Sequence, residues 1–222
     1  MRVISIETQT HGRALIKDGA VSSSAFRLLI GFHGYAQNAE DMLAELDRLP
    51  GSDAWTRVSI QALHRFYSRG NERVVASWMT RQDRELAIAD NIVYVDRVVR
   101  SLVADAPQAQ VVFVGFSQGV AMAYRAGVLG AYRARGVIAI GGDIPPDVKT
   151  ASSDKFPPVL VAAGDSDRFY PPAKVETDEA FLGSVGAQFD VFRYQGGHEW
   201  TDALRDRIHQ ALDQIVRGRA TF

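Results

Sequence analysis

Three residue types at separated positions could together perform nucleophilic chemistry. Ser117 stands in Gly115-Phe116-Ser117-Gln118-Gly119, a G-x-S-x-G pattern. Its glycines permit the sharp, strained strand-to-helix bend that lifts a serine hydroxyl clear of the backbone. A serine is a poor nucleophile at neutral pH and needs a base, which in turn needs an acid to orient it. Downstream of Ser117 the histidines are His198 and His209. His198 follows Gly196-Gly197 at the end of an apolar run, where the chain can turn the ring back over a sheet edge. His209 lies within an amphipathic helical pattern and reads as a helix-surface residue. The acid is expected between serine and base. Asp165 and Asp167 in Gly164-Asp165-Ser166-Asp167 both qualify, the other then bonding amides of the turn. Asp143, ahead of Ile144-Pro145-Pro146, is a third candidate that reads better as a loop aspartate.

Attack on a carbonyl also needs two backbone N–H groups for the developing oxyanion. Gln118 follows the serine at an expected helix N-terminus, where the dipole favours an anion. The second donor is expected from His33-Gly34-Tyr35-Ala36-Gln37, after an early apolar run, with the Tyr35 amide as candidate. His33 precedes the serine and belongs to this backbone-shaping loop, so a structural role is expected for it.

These residues must be positioned by a regular frame. Strands are expected over 28–32, 58–63, 111–116, 137–140, 159–163 and 189–194. Their nearly unbroken apolar character fits strands covered on both faces. Ile88, Ile92, Val95, Val99 and Leu102 fall on one helical face, as do Leu204, Ile208, Ala211 and Ile215. Further helices are expected over 40–49, 118–133 and 173–183, and an opening hairpin over 2–18 turning at His11-Gly12. Alternating strands and helices imply an α/β class with a mostly parallel sheet and helices on both faces. Ligands of such sheets bind at the carboxyl ends of the strands, where the candidates above stand. Residues 64–84 fit neither period and read as an irregular insertion.

The chain of 222 residues is 46% hydrophobic and 23% charged, with a formal net charge of -1. One domain over 1–222 is expected. No basic excess points to a nucleic-acid partner. The absence of cysteine excludes thiol chemistry, disulfides and thiolate metal sites. No apolar stretch reaches the length of an integral membrane segment, and the N-terminus lacks a signal-like run, so a cytoplasmic location is expected.

Residues 30–38, Gly115-to-Gly119, Gly164-to-Pro172 and Gly196-Gly197-His198 together resemble the phospholipase/carboxylesterase branch of α/β-hydrolases, which includes the acyl-protein thioesterases. The resemblance covers almost the whole chain. It implies an α/β-hydrolase fold without a large lid domain, no metal and no organic cofactor, and a small-molecule ester or thioester substrate. It selects Asp167 as the acid through a G-x-x-D-x-x-V-P pattern, in which Gly164, Asp167 and Pro171 match and Tyr170 replaces valine. The catalytic set becomes Ser117, Asp167 and His198, for a serine carboxylesterase forming an acyl-enzyme. Thioesterase, lysophospholipase or acyltransferase activity would use the same set, and a non-catalytic ligand receptor is the alternative of another class. A monomer or homodimer is expected.

The chain departs from the pattern at Val120 and Ala36, where glycines are usual, and in the 64–84 insertion. Apolar walls for a substrate are expected from Phe66, Tyr67, Trp78, Met79, Phe169 and Tyr170. Arg65, Arg69, Arg73, Arg81 and Arg84 read as a solvated face that could instead meet an anionic substrate group.

Overall fold

A computed structural model describes residues 1–20, 26–70, 73–104, 106 and 108–218. Strands β1 (Arg13–Lys17), β2 (Arg27–Phe32), β3 (Thr56–Gln61), β6 (Gln110–Phe116), β7 (Gly136–Ile140), β8 (Val159–Gly164) and β9 (Phe189–Tyr194) form one sheet in the order β1-β3-β2-β6-β7-β8-β9. All neighbours run parallel except β1, which pairs antiparallel with β3. The six strands expected from the apolar runs are all present.

Alternation within each run explains why those strands are apolar throughout. Leu28, Ile30, Val111 and Phe113 face one layer with Val95 and Val99 of α2 (Arg84–Val103), Met122 and Ala126 of α3 (Gln118–Val128), and Val175 and Leu182 of α4 (Pro172–Ser184). Leu29, Val112 and Val114 face the other, with Met42 and Leu46 of α1 (Ala39–Asp47) and Leu204, Ile208 and Leu212 of α5 (Asp202–Val216). Each inner strand from β3 to β8 of the large sheet thus buries both faces and removes apolar surface from water twice over. Helix α1 opens on a capping box, with Asn38 and Asp41 bonded reciprocally to each other's amides.

Two expectations are corrected. Residues 1–12 form no strand, so there is no opening hairpin. Segment 13–17 pairs with the edge of the large sheet, Arg13 opposite Gln61, because an isolated two-stranded ribbon is marginal in water. Gly12 packs against the Tyr94 ring, and the Tyr94 hydroxyl donates to the Arg13 carbonyl at 2.9 Å. The 64–84 segment is not irregular. It contains an antiparallel hairpin of β4 (His64–Tyr67) and β5 (Val74–Ser77), with His64 opposite Ser77 and Phe66 opposite Val75. Its strands are only four residues each and β4 is largely exposed, which hides the period.

Candidate active site

Ser117 joins β6 to α3 in the left-handed region, φ 54° and ψ -121°, an uncommon state for a residue with a side chain. Its amide donates to the Ile140 carbonyl at 2.9 Å, pinning the bend to the end of β7. A β-carbon on Gly119 would lie 2.1 Å from the Phe32 carbonyl oxygen, so α3 and the end of β2 approach as only glycine permits. Val120, at the other departure from glycine, is fully buried and packs against Gly142. It therefore fills the core beneath the bend.

The loop after β2 reaches the serine: a β-carbon on Gly34 would sit 3.3 Å from that of Ser117. The Gly34 amide donates to Gln37 Oε1 at 2.7 Å and the Ala36 amide to the Ala76 carbonyl at 3.1 Å. Among the described residues nothing accepts from the amides of Tyr35 or Gln118. Ala36 adopts φ 57°, the conformation that the missing glycine would take without strain.

His33 is buried and structural. Its Nε2 accepts from the Ala62 amide at 3.1 Å, which fixes the proton on Nδ1, and Nδ1 donates to the Gly34 carbonyl at 2.7 Å. Burial pulls its pKa below the ordinary imidazole value, partly opposed by the Gly34 bond.

At the ends of β8 and β9, His198 Nδ1 donates to Asp167 Oδ2 at 2.7 Å. Asp167 Oδ1 accepts from the amides of Phe169, at 2.8 Å, and Tyr170, at 3.0 Å. The carboxylate is buried and held on three sides, leaving His198 Nε2 as the ring's free nitrogen. Asp165 Oδ1 instead accepts from the Gly196 amide at 3.1 Å, the amide-bonding role expected of the second aspartate. Asp143 is exposed and pairs with Lys174 at 3.6 Å. His209, on α5, packs against Gly51.

The serine and the imidazole flank one turn. A β-carbon on Gly141 would lie 3.0 Å from His198 Nδ1, and one on Gly142 would lie 2.7 Å from the Ser117 carbonyl oxygen. The Phe116 ring, one residue before Ser117, stands 4.9 Å from the His198 ring. Among the described residues no hydrogen bond joins the Ser117 hydroxyl to His198. Such bonds commonly tighten only with substrate present.

The expected apolar walls divide. Phe169 is 72% exposed, with its ring 4.9 Å from that of His198. Phe66 packs at a tilt against the exposed Tyr35 ring, centroids 5.6 Å apart, and Tyr67 projects into solvent. Met79 is half-buried and its carbonyl accepts from Gln118 Nε2 at 3.2 Å. Trp78 and Tyr170 are corrected, because both are buried and present no face to a substrate. Trp78 Nε1 donates to the His33 carbonyl at 2.8 Å, and the Tyr170 hydroxyl donates to Asp178 Oδ2 at 3.0 Å. Arg65 and Arg73 are also engaged, with the His11 carbonyl and with Asp41 respectively.

Sequence reasoning missed the side chain of Gln118, which bonds Ser77 Oγ, the Trp78 amide and the Met79 carbonyl. Its one signal was a long amide side chain at the first turn of a helix beside the serine. It also missed Asp178, whose signal was a carboxylate at helical spacing from Val175 and Leu182, on the face that α4 buries.

A doubly covered parallel sheet with a left-handed serine between strand and helix, and an Asp–His pair at neighbouring strand ends, defines an α/β-hydrolase. The chain belongs to the phospholipase/carboxylesterase family, whose model matches residues 24–213. It is thus a hydrolase of the carboxylic-ester-cleaving kind. Esterase PE8 is similar in structure at a TM-score of 0.71 and 26% identity, with 93% of this chain and 100% of that chain covered. The Bacillus cereus carboxylesterase superposes at 0.72 with 16% identity, covering 92% of this chain and 94% of its own. Zea mays acyl-protein thioesterase 2 does so at 0.70 with 15% identity, covering 93% and 100%. The last two show likeness of fold alone. No curated protein sequence matches this chain significantly. Among the described residues no helix is long and apolar enough to cross a membrane.

Proposed function

We propose that this protein is a serine carboxylesterase acting as a single domain through Ser117, His198 and Asp167. The observation that carries the reading is the 2.7 Å Asp167–His198 bond at the strand ends beside the left-handed Ser117 bend. Ser117 Oγ attacks the ester carbonyl while His198 Nε2 takes its proton. The amides of Tyr35 and Gln118 hold the oxyanion of the tetrahedral intermediate. His198 then protonates the leaving alcohol, and Asp167 stabilises the imidazolium and keeps its tautomer. Water, activated by the same imidazole, releases the acid and restores the serine. Phe169 on one side and the Tyr35–Phe66 ring pair on the other offer apolar contact for the substrate's acyl or alcohol group.

Reaction with a fluorophosphonate probe followed by mass spectrometry should place the adduct on Ser117. Ser117→Ala should lose on the order of 10⁶-fold in kcat on p-nitrophenyl acetate. An adduct elsewhere, or full turnover by Ser117→Ala, would overturn the proposal. The fold likeness to an acyl-protein thioesterase supports a second reading, thioester cleavage, which a matched panel of esters and thioesters separates from the first.

A further inference from the structure

The residue at which this chain departs from the acid-loop pattern, Tyr170, leads away from the catalytic set to a buried aspartate. Asp178 stands on α4 and is 1% exposed. Its Oδ2 accepts from the Tyr170 hydroxyl and from the Ile144 amide, each at 3.0 Å. Its Oδ1 meets Lys149 Nζ at 3.0 Å. One carboxylate therefore grips the turn after β8 and the segment after β7 together.

Those two segments are the walls of the Asp167–His198 pair. The β8 turn supplies the amides of Phe169 and Tyr170 that fix Asp167 Oδ1, so that Oδ2 faces the imidazole. The β7 segment supplies Gly141, whose backbone closes against His198 Nδ1 and Asp167 Oδ2. Tyr170 is the link: its amide bonds Asp167 and its hydroxyl bonds Asp178. A valine there, as in the family pattern, could supply only the amide.

We propose that Tyr170 and Asp178 are positioning residues, a buried clamp that sets the orientation of Asp167 toward His198. The inference rests on the triad reading above. Burial and the neighbouring Asp178 carboxylate raise the Tyr170 pKa, so the hydroxyl stays protonated and donating. The clamp acts at the acid and not on substrate, so its loss should lower kcat and spare KM.

Tyr170→Phe keeps the ring and the amide and removes only the hydroxyl. About a tenfold loss of kcat is expected with KM unchanged, since small misplacement of catalytic groups costs one to two decades. In proton NMR the deshielded Nδ1–H resonance of His198 should move upfield and exchange faster with water. Asp178→Asn, which also preserves shape, should move the same resonance in the same direction. Leu182→Val, a buried change on the same helix, should lower Tm without moving it. An unshifted resonance and wild-type kcat in both Tyr170→Phe and Asp178→Asn, whatever their Tm, would overturn the proposal. The resonance reports the Asp–His bond and not the serine. If fluorophosphonate labels a residue other than Ser117, the triad reading falls, while the resonance still decides whether the clamp holds the pair.

Discussion

Gly119→Ala should cripple both the fold and the reaction, and the geometry sets how far. The added β-carbon would lie 2.1 Å from the Phe32 oxygen, 2.6 Å from the Phe32 carbonyl carbon and 2.7 Å from the His33 oxygen. Even favourable C–H···O contacts keep carbon and oxygen about 3.3–3.6 Å apart, so the elements must separate by about 1 Å. No flexible side chain can give way, because all three atoms are backbone. Phe32 is itself buried at the end of a central strand. The cost belongs at the upper end of core overpacking, about 3 kcal/mol. For a domain of this size that lowers Tm by roughly 6–12 °C. The displaced residues lead directly to Gly34 and Tyr35, and the substituted one follows Gln118, so both candidate oxyanion amides shift. Losing one such donor costs about 10²–10³ in kcat. Gly183→Ala is the control: that glycine lies in α4 with nothing within 4 Å of an added β-carbon. It should gain about 0.5–1 kcal/mol from helix propensity. Thermal melts and p-nitrophenyl ester turnover measure both variants. Wild-type Tm in Gly119→Ala would refute the packing argument, and a lowered Tm with full kcat would refute the assignment of the two amides.

Two further outcomes follow from the same loop. Ala36→Gly should raise Tm by up to about 6 °C, because relief of a left-handed alanine, about 1–2 kcal/mol, exceeds the added unfolded-chain entropy of about 0.4–1 kcal/mol; a lowered Tm would show that the backbone is unstrained there. His33 is held neutral by burial, with a folded pKa below its ordinary value of 6.5. Between those two values the unfolded chain binds a proton that the folded chain does not. Stability should therefore be full above pH 6.5 and fall as the pH drops through the folded value. Urea unfolding at pH 7.5 and 5.0 should show a smaller decline in His33→Gln than in the wild type, and equal declines would remove His33 from the account.

What the sequence made legible was whatever local pattern alone decides. Ser117, Asp167 and His198 could be picked out as candidates because strand ends are marked by apolar runs stopping at glycine, and parallel sheets bind ligands there. The choice of Asp167 over Asp165 rested on the family pattern; in the structure, side-chain direction separates them, one toward His198 and the other toward Gly196. Trp78 and Tyr170 read as walls because an aromatic in a polar segment has no local sign of burial. Only distant acceptors, the His33 carbonyl and Asp178, reveal their roles. The β4–β5 hairpin was hidden for the same reason, since its partner is a loop some forty residues earlier: the Ala76 carbonyl accepts from the Ala36 amide, and the Ala76 amide donates to the Gln37 carbonyl at 2.8 Å.

That hairpin also explains how strain is tolerated beside the reacting atoms. A left-handed alanine persists only where its surroundings over-determine it. Here the backbone bonds of Ala76 hold residues 36 and 37, Asn38 Nδ2 donates to the Val74 carbonyl, and the Trp78 indole holds the His33 carbonyl. The same strand end binds the side chain of Gln118 through Ser77, Trp78 and Met79. The two candidate oxyanion amides, from loops some eighty residues apart in sequence, are thus referred to one short segment, 74–79. A family glycine at position 36 would need no such support. The bonds that hold the positive-φ Ala36 in place thus come from the structured 64–84 segment.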